Sequence, residues 1–305
     1  VMRPGRKVTA QIPATTANLG PGFDCMGLSL AIFDTVSVEP AAGDTDEILI
    51  EGVGADTLPR DGSHMVLATM RELFAQQGWE VPPIRLSCLN RIPHGRGLGS
   101  SASAIVAGLV TGKAFAATLG HDTSTADLVQ IGSDMDGHPD NVAPCINGGL
   151  NVSWDDAGRW GVAHLDPHSE IRAILAIPQT VLSTKVARGL IPETVPHRDA
   201  VRNSSRAALA IHAFTRDPSL LLPATEDYLH QRYRAEAYST SYALMERLRA
   251  RGIAAAISGA GPAVIMFVTG DHQDPAIRSE ISAADGGFEM LRVGIDLDGA
   301  RLSSS

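Results

Sequence analysis

The sequence predicts an α+β fold in two domains, and three observations carry that expectation. Long alternating, strand-like runs open the chain. Helical periodicity falls in separate stretches that do not alternate one for one with strands, as a βαβ protein would require. The chain has 305 residues, 44% of them apolar and 19% charged, which is ordinary for a folded protein with room for two domains. A change from a motif-rich first half to a more helical second half sets the expected domains at 1–170 and 171–305.

The elements follow in order. "KVTAQIPATTANLGPGFDCMGLSLAIFDTVSVEP" reads as two strands around a turn-rich loop, "TTANLGPGFD". "EILIEGVG" is a further strand. "SHMVLATMRELFAQQG" places Met65, Leu67, Met70, Leu73 and Phe74 on one helical face and stops at Gly78. "PIRLSCLNRIP" alternates as a strand, and a helix runs from Ser100 to about Leu119. "STADLVQIGSDM" fits a helix, followed by a loop, "DGHPDNVAP". "GGLNVSW" and "IRAILAIP" are strands, and "LSTKVARGLIP" is a short helix or loop. "RDAVRNSSRAALAIHAFTR" and "TSYALMERLRARG" are helices, the second ending at Gly252. "AAAISGAGPAVIMFV" is a strand, a glycine turn and a strand, and the polar tail "ARLSSS" is expected to be loose.

Charge and cysteine usage narrow the function. A formal net charge of −9 argues against a sequence-independent nucleic-acid binder, which needs a basic excess. A small anionic ligand stays open, because a local site can oppose the global sign. Cys25, Cys88 and Cys145 are odd in number and form no close pair, so reduced thiols in a cytoplasmic protein are expected. The basic N-terminus "VMRPGRKVTAQIPA" has no apolar core of the export-signal kind. The apolar runs are too short or too glycine-broken to predict a membrane span.

The stretch "PHGRGLGSSAS", Pro93 to Ser103, concentrates the chemistry. A Walker A loop needs a lysine after its glycines, and none follows here. The Rossmann spacing G-x-G-x-x-G is absent, and the acidic residue about 20 positions on, Asp122, sits in a turn or cap. The remaining functional reading is a phosphate loop made of backbone. Glycines bring the chain close to a ligand, and the following helix aims free N–H groups and a positive dipole end at an anion. A tight strand-to-helix turn with a serine N-cap is the bland alternative.

This loop closely resembles the P-x-x-x-G-L-G-S-S-A segment of the GHMP kinases, which Pro93 to Ala102 matches throughout. "AAAISGAGPAVIMF" resembles that family's C-terminal glycine motif. "PATTANLGPGFDCMGLSL" and "GHPDNVAPCINGG" resemble its homoserine kinase branch. The blocks keep the family's order over residues 13 to 267. The resemblance implies an N-terminal domain like the second domain of ribosomal protein S5, a ferredoxin-like C-terminal domain, and a cleft between them. It implies transfer of the γ-phosphoryl of ATP, with Mg²⁺, to the hydroxyl of a small metabolite. L-homoserine is the expected acceptor, with threonine or mevalonate-type acceptors, or a non-catalytic sensor on the same fold, as alternatives. Relatives are often homodimers.

Residue by residue, the resemblance assigns Pro93, His94, Gly95, Arg96, Gly97, Leu98, Gly99, Ser100, Ser101, Ala102 and Ser103 to the nucleotide, with Ser101 also facing Mg²⁺. The family's second metal ligand is a Glu shortly before H-x-D-N; this chain has Asp134 and Asp136 there instead. Two carboxylates at a helix C-terminus oppose its dipole, which a cation would relieve, while a solvated acidic turn is the alternative. An EF-hand reading of these aspartates fails at His138 and Pro139, and His138 is expected in a structural hydrogen bond. Asn18 and Asp24 are implied at the substrate, Asp24 on its ammonium, although a turn cap serves Asp24 equally well. Arg188 and Arg234 are implied at its carboxylate, for which a planar guanidinium is suited. Thr184 and Gly261 are implied nearby, with Gly259 and Gly261 alternatively just turn formers. Asn141 is expected to orient the acceptor hydroxyl, with Asp140 structural.

Overall fold

The computed structural model describes residues 5–303, so the first four residues of the basic N-terminal stretch and the last two serines of the tail lie outside the described part. Chain order is β1 (Val8–Asn18), β2 (Gly22–Pro40), β3 (Glu47–Gly52), α1 (Met65–Gln77), β4 (Ile84–Asn90), α2 (Ser100–Leu119), α3 (Leu128–Asp136) and α4 (Pro139–Asn147). Then come β5 (Leu150–Asp156), β6 (Arg159–Leu165), β7 (Ile171–Ile177), α5 (Thr184–Arg188), α6 (His197–Thr215) and α7 (Leu221–Ala224). The chain closes with α8 (Ser239–Ala250), β8 (Ala254–Ile257), β9 (Val264–Thr269), α9 (Asp274–Ser282), β10 (Glu289–Val293) and β11 (Arg301–Leu302).

Two sheets form. The first runs β11-β1-β2-β4-β3, with β5 on β2 and β6 on β5; the second runs β10-β7-β9-β8. Among the described residues, only the β3–β4 pair is parallel. Strand β2 serves two neighbours because it is long: residues 35–40 pair with β4 and residues 26–28 with β5. Its side chains divide accordingly. Val36 and Val38 pack under α1 and α2 with Met70, Phe74, Leu86 and Val106. Leu28 and Leu30 face the second sheet, where they meet Leu175, Ile265 and Phe214. Strand β7 is buried on both faces, so Ala173 and Leu175 join that shared core while Ile174 and Ala176 pack with Leu244 and Leu248 of α8. This accounts for its apolar run from Ala173 to Ile177, with Arg172 the one exposed position of the strand.

Several local expectations change. The turn between β1 and β2 shrinks to Leu19, Gly20 and Pro21, because Thr15 and Thr16 pair with Ser29 and Leu28 as buried strand residues. "PDNVAPCIN" is a helix and not a loop: Pro139 stands in its first turn, where a missing N–H costs nothing. Helix α3 begins only at Leu128, because the Asp127 side chain caps it by accepting the N–H of Gln130. The sequence reading also omitted β6, β10 and α9. The tail is not wholly loose, since Ala10 and Gln11 pair with Leu302 and Arg301. Helix α2 is long and apolar enough by composition to cross a membrane, but 67% of its most apolar window is buried inside the chain. It is a core helix against β1, β2 and α1.

Candidate active site

The glycine stretch links β4 to α2 and lines a cleft of about 280 Å³. Gly95, Gly97 and Gly99 all take left-handed φ, at 63°, 76° and 68°. Gly99 is the N-cap of α2, and no side chain caps the helix. The serine-cap alternative therefore fails, and the first N–H groups of α2 remain available to a ligand. Gly97 shows why glycine is needed here: a Cβ on it would run into the Ser258 carbonyl oxygen and come 2.9 Å from Gly261 N. The Ser258 hydroxyl donates to Gly97 O at 2.6 Å, and Ala263 N donates to Arg96 O at 3.2 Å. The loop is thus fastened to the turn between β8 and β9.

Not every loop residue turns toward the cleft. Gly95, Gly97, Leu98, Gly99, Ser100, Ser101 and Ala102 line it. Arg96 does not: its guanidinium donates to the carbonyls of Pro178, His94 and Gln179, tying the loop to the chain after β7. Ser103 is buried and donates to Pro13 O at 2.9 Å. Pro93 lines neither this cleft nor its neighbour. Arg96 and Pro93, implied at the nucleotide, therefore hold the loop and face neither cavity, whereas Ser103 borders the neighbouring one. His94 borders a second, mostly apolar cavity of about 300 Å³, with Leu58, His64, Met65 and Val66. It meets the first cleft at Ser100 and Ser101. Sequence reasoning gave His94 to the nucleotide but no site role to Leu58, His64, Met65 and Val66, which carry no motif of their own.

The C-terminal end of α3 and the start of α4 bring carboxylates to the cleft. Burial pushes Asp136 up to about 6, partly offset by the Ser101 hydroxyl and Arg188. Ser101 Oγ also lies 3.6 Å from Met65 Sδ. Asp134 is corrected: it is exposed, does not line the cleft, and accepts Trp160 Nε1 at 2.9 Å and Gln130 Nε2 at 3.0 Å. Asp134 and Asp136 are two positions apart on α3 and so point about 200° apart around the helix, which keeps both from facing the cleft. Asp140 is 4% exposed. Burial, then the charges of Asp24 and Asp136, push it up to about 7. Asn141 beside it is fixed from two sides: Thr15 Oγ1 donates to its Oδ1 at 2.7 Å, and its Nδ2 donates to Asp140 Oδ1 at 3.2 Å. His138 lines the cleft and makes no side-chain hydrogen bond among the described residues, contrary to expectation, and burial lowers its pKa.

The opposite wall carries the implied substrate residues. Asp24, Arg188, Arg234, Thr184 and Gly261 all line the cleft. Arg188 donates to both oxygens of Asp24, at 2.8 and 2.9 Å. Asn18 lines the cleft too, but its amide is engaged: Nδ2 donates to Gly259 O at 2.9 Å and Oδ1 accepts Asp24 N at 3.1 Å. It shapes the tight β1–β2 turn, where Asn18 and Asp24 have φ of 71° and 56°. Phe23 lies between the arginines, its ring centroid 5.7 Å from Arg188 Cζ and 5.1 Å from Arg234 Cζ. The fully buried His230 stacks on it at 5.0 Å and hydrogen-bonds Gly20 O at 2.8 Å. Neither aromatic was singled out in the sequence, where Phe23 sits in plain view between a Gly-Pro-Gly turn and Asp24.

A glycine loop of this build facing paired arginines across one cleft invites comparison with known proteins. The family described as "GHMP kinases N terminal domain" matches residues 64–149, and "GHMP kinases C terminal" matches residues 207–285. A homoserine kinase of Streptomyces avermitilis is 45% identical over 295 residues, covering 96% of this chain and 94% of its own. The chain belongs to the homoserine kinases of the GHMP kinase family. One from Streptomyces coelicolor is also 45% identical, over 96% of this chain and 93% of its own. Among solved structures, a homoserine kinase from Cytophaga hutchinsonii superposes with a TM-score of 0.84 at 22% identity, covering 97% of each chain. A mevalonate diphosphate decarboxylase from Staphylococcus aureus shares the GHMP kinase fold at a TM-score of 0.71 and 15% identity, over 98% of each chain. The fold accordingly leaves the choice of substrate to the cleft walls.

Proposed function

We propose that the chain transfers the γ-phosphoryl group of ATP to the side-chain hydroxyl of L-homoserine, giving O-phospho-L-homoserine and ADP. The observation that carries this reading is the cleft itself. An uncapped helix N-terminus behind three left-handed glycines faces a wall with two guanidiniums and a carboxylate, the complement of an α-amino acid. Relatives named homoserine kinase at 45% identity over nearly the whole chain support it.

The phosphates belong on the N–H groups of Gly97 to Ala102. The second cavity, opening from Ser100 and Ser101 and lined by Met65, Val66 and Leu58, has the apolar walls an adenine base needs. The donor set also fits Mg²⁺, through the Ser101 hydroxyl and the Asp136 carboxylate, with phosphate oxygens completing the shell. When bound there, the ion supplies charge neutralisation for the transferring group.

In the transfer, the homoserine oxygen bonds to the γ-phosphorus, the bond to the ADP oxygen breaks and leaves its electron pair on ADP, and the hydroxyl proton passes to a phosphoryl oxygen and from there to water. Asn141 orients the hydroxyl: one Nδ2 hydrogen goes to Asp140, and the other is left for the acceptor oxygen. Asp140 and Thr15 hold that amide in place, so Asp140 is assigned to positioning. The Asp24 carboxylate takes the substrate ammonium, and Arg188 and Arg234 its carboxylate. A cytoplasmic location, which the three free thiols fit, and the homodimer common among relatives belong to the same proposal.

The test is a coupled ADP-release assay with ATP and Mg²⁺, run in parallel with L-homoserine, L-threonine and mevalonate. Release with homoserine, and phosphohomoserine as product, is expected. Turnover of threonine or mevalonate alone would replace the acceptor. Silence with all three from protein that binds ATP would favour a sensor.

A further inference from the structure

The substrate wall is already paired with itself. Asp24, at the start of β2, and Arg188, at the end of α5, form a two-point ion pair across 164 residues of sequence. Arg234 closes the same wall and is treated differently. It is 2% exposed, lines the cleft, has no carboxylate within ion-pair distance among the described residues, and its Nε has no hydrogen-bond partner. Both guanidiniums lie within 6 Å of the Phe23 ring centroid, at 5.7 and 5.1 Å. The wall thus offers one satisfied pair and one unanswered cation.

Resting on the reading above, we propose that the Asp24–Arg188 pair is a specificity lock that opens only to a ligand carrying both an ammonium and a carboxylate. The argument is one of charge replacement. A carboxylate alone can reach Arg234, but it gains Arg188 only by stripping Asp24 of its partner. Asp24 would then stand bare in a cleft that already holds Asp136 and Asp140. An ammonium alone gains Asp24 only by leaving Arg188 bare beside Arg234. Removing one partner from a partly desolvated pair leaves an uncompensated charge, which is the costlier outcome. An α-amino acid supplies both new partners in one step, so every charge stays answered. The lock discriminates by what it leaves unpaired in the wrong ligand, over and above its contacts with the right one. Both members are partly exposed, at 30% for Asp24 and 41% for Arg188, so its effect is moderate.

The experiment measures binding by calorimetry with L-homoserine, 4-hydroxybutyrate, which lacks the ammonium, and 3-amino-1-propanol, which lacks the carboxylate. Asn accepts the left-handed φ of position 24 better than other side chains, so Asp24→Asn is the first variant. It frees Arg188. It should bind 4-hydroxybutyrate about three- to tenfold tighter than the unsubstituted protein while binding homoserine more weakly. Arg188→Gln is the mirror test and should tighten 3-amino-1-propanol by a similar factor. If both analogues bind their variants no tighter than the unsubstituted protein, the pair does not guard the cleft and the proposal fails. The kinase reading is judged separately, by ADP release from the unsubstituted protein with homoserine. Failure there leaves the analogue comparison still readable.

Discussion

Replacing Gly97 by alanine tests whether the glycine loop works because it is locked to the β8–β9 turn. Its φ of 76° is left-handed, which costs an alanine about 1–2 kcal/mol. The new Cβ meets the Ser258 carbonyl oxygen, with Gly261 N at 2.9 Å. Both are backbone atoms, so no rotamer change relieves the contact. Separating the segments also breaks the Ser258 Oγ to Gly97 O hydrogen bond of 2.6 Å, worth about 0.5–1.5 kcal/mol. The sum is about 1.5–3.5 kcal/mol, or about 2–5 °C in Tm for a chain of 305 residues. A shift of about 1 Å in the phosphate-binding backbone should also lower kcat/KM for ATP about 100-fold. Gly158→Ala is the control, because its φ of 88° is also left-handed but nothing lies within 4 Å of its Cβ. It should carry the conformational cost alone, with unchanged kcat/KM. Thermal unfolding followed by circular dichroism and initial rates over a range of ATP concentrations decide the matter. If the two variants match in Tm and in kcat/KM, the reasoning about the locked loop is wrong.

Three further outcomes follow from the cleft. Asp140, raised to about 7, keeps a proton that the unfolded chain releases near its ordinary value of 3.8, so its contribution to stability falls as pH rises from about 4 through 7. Asp140→Asn should therefore raise the Tm of the ligand-free protein more at pH 8 than at pH 5. Equal changes at both would refute the shift, and loss of turnover with intact substrate binding would exchange the roles given to Asp140 and Asn141. Asp136→Asn should raise the Mg²⁺ concentration for half-maximal velocity by about tenfold or more, read from a metal titration at saturating ATP; an unchanged requirement would remove Asp136 from the metal. Phe23→Leu should raise KM for homoserine about three- to tenfold without changing KM for ATP, with Phe23→Tyr restoring it; parallel changes in both constants would mean that the ring only supports the fold.

The sequence alone determined what is local or periodic. Helix α1 and its stop at Gly78, helix α2, and the strand–turn–strand of β8 and β9 follow from apolar spacing and glycine placement. The glycine loop was legible because three left-handed positions before a helix leave few residue choices. The family was legible because four such blocks keep their order along the chain. Contacts far apart in sequence were not legible, since spacing encodes direction and not distance. Only the tertiary structure turned Asp134 outward to Trp160 and Asp136 inward to Ser101. Only it gave Arg96 to the carbonyls after β7 and paired Asp24 with Arg188. Burial beside Asp24 and Asp136 likewise raised Asp140, a shift that depends on how much water folding excludes and which charges it brings near. The chain's order chose the fold and the chemistry; the packing of one sheet against the other decided which side chains face the cleft.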